Sequence, residues 1–147
     1  MATLDPATAS FLDAQRVGHL ATADSAGVPH VVPVCFARIG ETVYVALDEK
    51  PKRAAPSELK RVRNVLANPR AALVADVYDE DWSRLGFALL HCRGRVLNGG
   101  DELQGAVAAL REKYPQYRQM ALEDRPLIAL DVENATVWGT ARARTTG

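Results

Sequence analysis

The sequence predicts a mainly β domain, an antiparallel barrel of about six strands with short α-helices appended. Three observations carry that prediction. Segments rich in β-branched residues recur at strand length, and most are joined by hairpin-type turn chemistry. Helical signals are confined to three or four short stretches, too few to supply the crossover that a parallel sheet needs after nearly every strand. A length of 147 residues, 48% of them apolar, is room for a single domain over residues 1–147 with a sizeable core.

Asp5 before Pro6 marks a helix start, a capping side chain followed by a proline at the first helical position, and Ala7 to Gln15 continue it. Val17–Ala23 and Val28–Ile39 read as the two strands of a hairpin around Asp24-Ser25-Ala26-Gly27. Gly40-Glu41 separates a third strand, Thr42–Leu47, and Lys50–Pro56 is too rich in proline and charge for regular structure. Ser57 then caps a second helix, with Glu58 in its first turn and Leu59, Val62 and Leu66 on one buried face. Asn68-Pro69 ends it, Ala71–Val77 is a fourth strand, and Asp79–Arg84 is a loop. Phe87–Leu97 is a long fifth strand in which Gly94 marks a bulge. After the turn Asn98–Asp101 comes a helix with Leu103, Val107 and Leu110 on one face. Tyr114, Tyr117 and Met120 follow as an apolar stripe that packs on the barrel or on a partner subunit. Pro126–Trp138 closes the chain as a sixth strand or strand pair, broken near Glu133-Asn134.

Composition removes several function classes. Eighteen basic and eighteen acidic residues cancel, so no whole-chain field recruits nucleic acid or an anionic membrane. The apolar runs are far short of the roughly 20 residues a membrane helix needs, and Met1–Asp13 lacks the pattern of a signal peptide. The expectation is a soluble, cytoplasmic protein. Cys35 and Cys92 form no CxxC and read as reduced core residues. No GxGxxG, GxxxxGK[ST] or GxSxG occurs, which sets aside P-loop nucleotide binding and serine hydrolysis. His19, His30 and His91 show no metal-ligand spacing, and each lies in a strand as a satisfied polar position.

Charge is distributed unevenly. Between Lys50 and Arg70 stand seven basic residues (Lys50, Lys52, Arg53, Lys60, Arg61, Arg63 and Arg70) against the single acid Glu58. A basic cluster at a helix start, where backbone N–H groups are free, suits a phosphate or carboxylate ligand; it equally suits a solvated helix face. Lys60 and Arg61 are the sharpest candidates, because the helix dipole disfavours cations in the first turn unless an anion joins them. Trp82, in an acidic loop, either lids a planar ligand or covers the end of the barrel or a subunit interface.

Several strings, taken in order, resemble the pyridoxamine 5′-phosphate oxidase-like split β-barrel superfamily, whose members bind flavins or deazaflavin. They are Val17–Thr22, Gly27–Val34, Lys60–Ala71, the Asp81-Trp82 loop and the closing Ile128–Trp138 strand, which together span nearly the whole chain. The resemblance implies a six-stranded antiparallel split barrel of the FMN-binding type. Within the superfamily the sequence is most similar to the small proteins that use coenzyme F420, an 8-hydroxy-5-deazaflavin, with FMN as the alternative cofactor. It implies that Lys60 and Arg61, at the family's spacing from Asn68-Pro69, hold the cofactor phosphate with Ser57 beside them. Many deazaflavin members carry Lys where this chain has Arg61, a flat fork in place of a point charge. The resemblance also implies that Pro33-Val34 lies against the ring and that Trp82 borders the site. It implies a homodimer with the cofactor between two barrels and hydride transfer to a small-molecule acceptor such as an enone, chemistry that calls for alignment rather than a catalytic acid or base. A noncatalytic flavin, deazaflavin or haem binder is the reading from another class.

Overall fold

The computed structural model describes residues 3–47 and 59–143. Seven strands form one sheet: β1 (Gly18–Ala23), β2 (Pro29–Val34), β3 (Phe36–Ile39), β4 (Thr42–Val45), β5 (Arg70–Val77), β6 (Gly86–Leu97) and β7 (Leu127–Gly139). Their order is β2-β1-β5-β6-β7-β4-β3, and every neighbouring pair is antiparallel. Among the described residues three α-helices accompany it, α1 (Pro6–Ala14), α2 (Lys60–Ala67) and α3 (Asp101–Lys113), with 3-10 turns at Trp82–Arg84 and Pro115–Gln119.

The expected count of six strands becomes seven because Val28–Ile39 is two strands, not one. Cys35 alone separates β2, which pairs with β1, from β3, which pairs with β4. These are the two opposite edges of the sheet, so a one-residue link requires the sheet to curl until its edges approach. Phe36, fully buried, fills the curl, and a Cβ on Gly18 would lie only 3.2 Å from its ring. The result is a curled antiparallel half-barrel.

Its concave side holds the first core. Leu20, Leu73, Ala75, Ala88, Leu90, Ile128 and Leu130 point inward from alternating strand positions. α1 closes one end: the Asp5 carboxylate accepts the Thr8 N–H at 2.8 Å as the sequence predicts, and the Thr8 hydroxyl donates to the Ala141 carbonyl at 2.9 Å. α2 closes the other end, packing on β1 and β6. A second core lies on the convex side, where α3 buries Leu103, Val107 and Leu110 against Ala37, Tyr44 and Ala129. Tyr114 and Tyr117 belong to this cluster, so that aromatic stripe packs on the barrel of its own chain.

Two local expectations are corrected. The bulge lies not at Gly94 but between His91 and Cys92, opposite Glu133, where the sequence reading places the break in the last strand. Gly94 serves a different need: a Cβ there would sit 3.0 Å from Val65 Cγ1, so glycine lets α2 lie close on β6. In α2 itself Leu66 is exposed, and the buried face is Arg61, Val62, Asn64 and Val65. Apolar spacing alone missed this because half of that face is polar. Asn64 is satisfied by donating to the Thr22 hydroxyl at 3.1 Å.

Candidate functional site

α2 starts at Lys60, with Leu59 in the N-cap position and no side-chain cap; the Ser57 cap expected from sequence lies outside the described residues, as do Lys50, Lys52 and Arg53. The Leu59 carbonyl accepts the N–H groups of Val62 and Arg63 at 3.0 and 3.1 Å. Lys60 and Arg61 therefore occupy the first two helical positions, in the positive end of the helix dipole. They differ sharply in environment. Lys60 reaches outward, its Nζ 3.8 Å from Asp24 Oδ2. Arg61 is 5% exposed, which removes the reading of this pair as a wholly solvated helix face.

Asp24 organises the neighbouring turn. Its carboxylate accepts the N–H groups of Ala26 and Val28, both at 2.9 Å, and the Val28 bond leads the causes that hold its pKa below the usual carboxylate value. Asn68 Nδ2 donates to the Asp24 carbonyl at 3.4 Å, which ties the end of α2 to the same turn.

A second concave feature lies on the convex face of the sheet, which α3 covers only in part. α3 shields β3, β4 and the adjoining halves of β6 and β7; the outward residues of β2, β1, β5 and the other halves have no layer over them among the described residues. There His19, Val74, Asp76, Phe87 and Trp138 line a groove of about 520 Å³, with Tyr78 and Leu85 at its end. Phe87 and Trp138 stack at 6.1 Å between ring centroids. The sequence reading did not single out Tyr78, Phe87 or Trp138; the signal available was large aromatics at outward positions of strands read only for their inward face.

Pro33 and Val34 part company. Strand alternation turns Pro33 outward, paired across β1 with His19 of the groove, and sends Val34 into the first core at 7% exposure. Only Pro33 can present its side chain to a ligand on this face. β2 is an edge strand, where Pro29 and Pro33 are tolerated because the edge needs no donor from them. Trp82 is 71% exposed in its 3-10 turn, so within one chain it caps no core.

The sequence-predicted residues do not converge in one chain. Lys60 lies at the Asp24 turn, beside the start of β5, since Thr22 pairs with Ala71. Trp82 lies past the other end, where Val77 pairs with Gly86, and the aromatic groove runs from there back along β5 as far as Val74 and His19. The length of β5 between them, Arg70 to Val77, is about 23 Å at strand spacing.

No group of three or more His, Cys, Asp or Glu among the described residues is placed to hold a metal ion. No helix among them is long and apolar enough to cross a membrane. Cys92 is buried, and burial pushes its thiol up to about 12, leaving it unreactive; Cys35 is half-buried and also free.

A half-barrel of this topology with three helices is a split β-barrel. The family profile described as pyridoxamine 5′-phosphate oxidase matches residues 4–139, and the chain belongs to that family. Its members include oxidoreductases and noncatalytic haem-binding proteins, and they bind flavins or haem. Among solved structures the chain is similar to the conserved hypothetical protein Rv2991 from Mycobacterium tuberculosis, with a TM-score of 0.75 at 17% identity over 99% of this chain and 94% of that one. A heme binding protein from Mycobacterium smegmatis matches with a TM-score of 0.72 at 20% identity, over 90% of this chain and 52% of that one. HutZ, the heme storage protein from Vibrio cholerae, matches with a TM-score of 0.69 at 19% identity, over 93% and 95%. At these identities the likeness establishes the fold. No curated protein matches the chain.

Proposed function

We propose that this protein binds a flavin-type cofactor in a groove shared by two copies of the chain, the deazaflavin coenzyme F420 in preference to FMN, and transfers a hydride between it and a small organic acceptor. The observation that carries the reading is Arg61, a guanidinium buried in the first turn of α2 beside Lys60. Cations in the first turn of a helix oppose its dipole, and a phosphate group placed there is favoured by both the dipole and the side-chain charge. The aromatic groove supplies the other requirement of such a cofactor, a flat apolar wall for a fused ring, in Phe87, Trp138 and Val74.

Lys60 and Trp82 lie at opposite ends of β5, farther apart than a ribityl chain reaches, so a second copy of the chain would supply the contacts that one copy holds apart. Two copies packed through the uncovered half of the convex face, antiparallel along β5, would bring the α2 end of one beside the aromatic end of the other. Exposed Val31, Tyr78, Trp82 and Trp138 lie on or beside that face. The preference for the deazaflavin rests on the ordered strings that resemble its subgroup.

The bound cofactor supplies hydride chemistry. The residues of this chain hold its phosphate (Lys60 and Arg61), flank its ring (Phe87, Trp138 and Pro33) and keep water from it (Trp82 at the rim). No side chain is assigned as acid or base.

The test is fluorescence titration with the deazaflavin and FMN of the parent protein and of K60A/R61A, whose affinity should fall at least tenfold, given about 1.5–3 kcal/mol for a hydrogen bond to a charged group. A folded double variant of unchanged affinity overturns the assignment. Mixing K60A/R61A with W138A then tests sharing: heterodimers carry one intact site, and binding returns only if the site spans two copies. Light scattering that shows a monomer of 16.0 kDa at micromolar concentration refutes the shared groove.

One observation favours a second reading, that of a noncatalytic haem binder. His19 lines the aromatic groove, where its imidazole would be the residue to hold a haem iron beside a flat apolar wall. A Soret band that appears with haemin and is lost in H19A, with no deazaflavin or FMN binding, would select it.

A further inference from the structure

We propose that the pocket between Arg70 and Arg93, on the convex face at the α2 end of β5, is a separate anion site that takes the phosphate monoester of a small polyol. β5 and β6 set these two arginines directly opposite each other, and both are exposed. Like charges in that relation repel across about 5 Å between Cβ atoms. Four other arginines are met by carboxylates: Arg38 pairs with Asp13, Arg84 with Asp81, Arg95 with Glu102 and Asp131, and Arg111 with Glu123. Neither Arg70 nor Arg93 has a side-chain partner among the described residues.

The pair stands over a concavity. Pro69, His91, Cys92 and the bulged Glu133 complete a cavity of about 280 Å³ around it, below the usual range for drug-sized ligands and suited to a small one. Two guanidinium groups side by side offer forked N–H donors that match phosphate oxygens two at a time. His91, two residues from Arg93 on the same face, adds a ring nitrogen. Glu133 supplies the discrimination: its carboxylate repels a bare anion but accepts a hydroxyl, which favours a phosphate carried on a hydroxylated carbon chain over free phosphate. The site uses no residue of the Lys60-Arg61 pair and does not depend on the flavin reading.

The experiment is a titration of the ¹⁵N-labelled protein, in phosphate-free buffer, with glycerol 3-phosphate, inorganic phosphate and glycerol, read from backbone amide shifts at Ala72, His91 and Arg93. Glycerol 3-phosphate should give saturable shifts and bind more tightly than inorganic phosphate, with glycerol inert. R70Q/R93Q should weaken it at least tenfold while K60A/R61A leaves it unchanged, and E133Q should narrow the preference over inorganic phosphate. Equal affinity in R70Q/R93Q, loss of binding in K60A/R61A instead, or shifts that never saturate would each overturn the proposal.

Discussion

Replacing Lys113 with Met should stabilise the protein. Lys113 ends α3, and its Nζ is buried 3.9 Å from the centre of the Phe36 ring without a hydrogen-bond acceptor. Burial, the largest cause, lowers its pKa from the ordinary 10.5 to about 8; Asp13 and Cys35 work against that shift and Arg16 with it. The difference corresponds to a ceiling of about 3 kcal/mol at 1.36 kcal/mol per pH unit. The side chain as a whole is only half-buried, so solvent screening reduces this, and the attraction of the ammonium to the Phe36 ring offsets more of it. A net gain of about 1 kcal/mol remains for K113M at pH 7, or roughly 2–4 °C in melting temperature. The pH dependence carries the sharper signature. A lysine whose folded pKa is depressed destabilises the fold fully below about pH 8, and the penalty fades as pH rises from about 8 to 10.5, where the unfolded chain alone still holds the proton. The assay is thermal unfolding of parent and K113M in parallel from pH 6 to 10, which cancels every other titrating group. A variant less stable at pH 7, or an advantage that does not shrink by pH 10, would refute the reasoning.

Two further outcomes follow from the packing and charge of the same frame. Gly94→Val should cost roughly 1–3 kcal/mol by overpacking against Val65, and because the strain is relieved by lifting α2, cofactor affinity should fall with it; calorimetric melting and fluorescence titration of one sample check both. Arg95→Met should destabilise by about 1 kcal/mol at pH 7, its partners Glu102 and Asp131 being partly exposed. Both carboxylates are held below their ordinary values by Arg95, so the parent's advantage is present above that range and should vanish as the pH falls through it, as acid titration of the two proteins would show.

Strand alternation, turn chemistry and caps are local, and they made most of the fold legible. The Asp5-Pro6 start of α1, the hairpin around Asp24–Gly27 and the Leu103-Val107-Leu110 face of α3 stand as the sequence predicts. What the sequence hid is long-range. Nothing local in Val34-Cys35-Phe36 distinguishes a continuing strand from a crossing between opposite sheet edges; only the pairing of Val34 with Gly18 and of Phe36 with Val45 does so. The buried polar face of α2 was hidden for a related reason. Arg61 and Asn64 look solvated on a helical wheel, and their burial depends on Thr22, 42 residues away from Asn64.

The same distinction governs the candidate site. Sequence proximity to Asn68-Pro69 was enough to place Lys60 and Arg61 in a first helical turn, because a helix start is a local event. Whether Trp82 belongs with them is a question of strand length, and β5 answers it: the Asp24 turn and the Trp82 turn cap opposite ends of a fully paired eight-residue strand. A rigid strand cannot bend to bring its ends together, so a ligand that needs Lys60 and Trp82 together would find them in different copies of the chain. The half of the convex face that has no layer over it among the described residues is the surface through which antiparallel packing would do that. If the proposed groove is shared, the association of two chains and the completion of the site would be one event, and variants that weaken the first should weaken binding in proportion even when they lie far from both contacts.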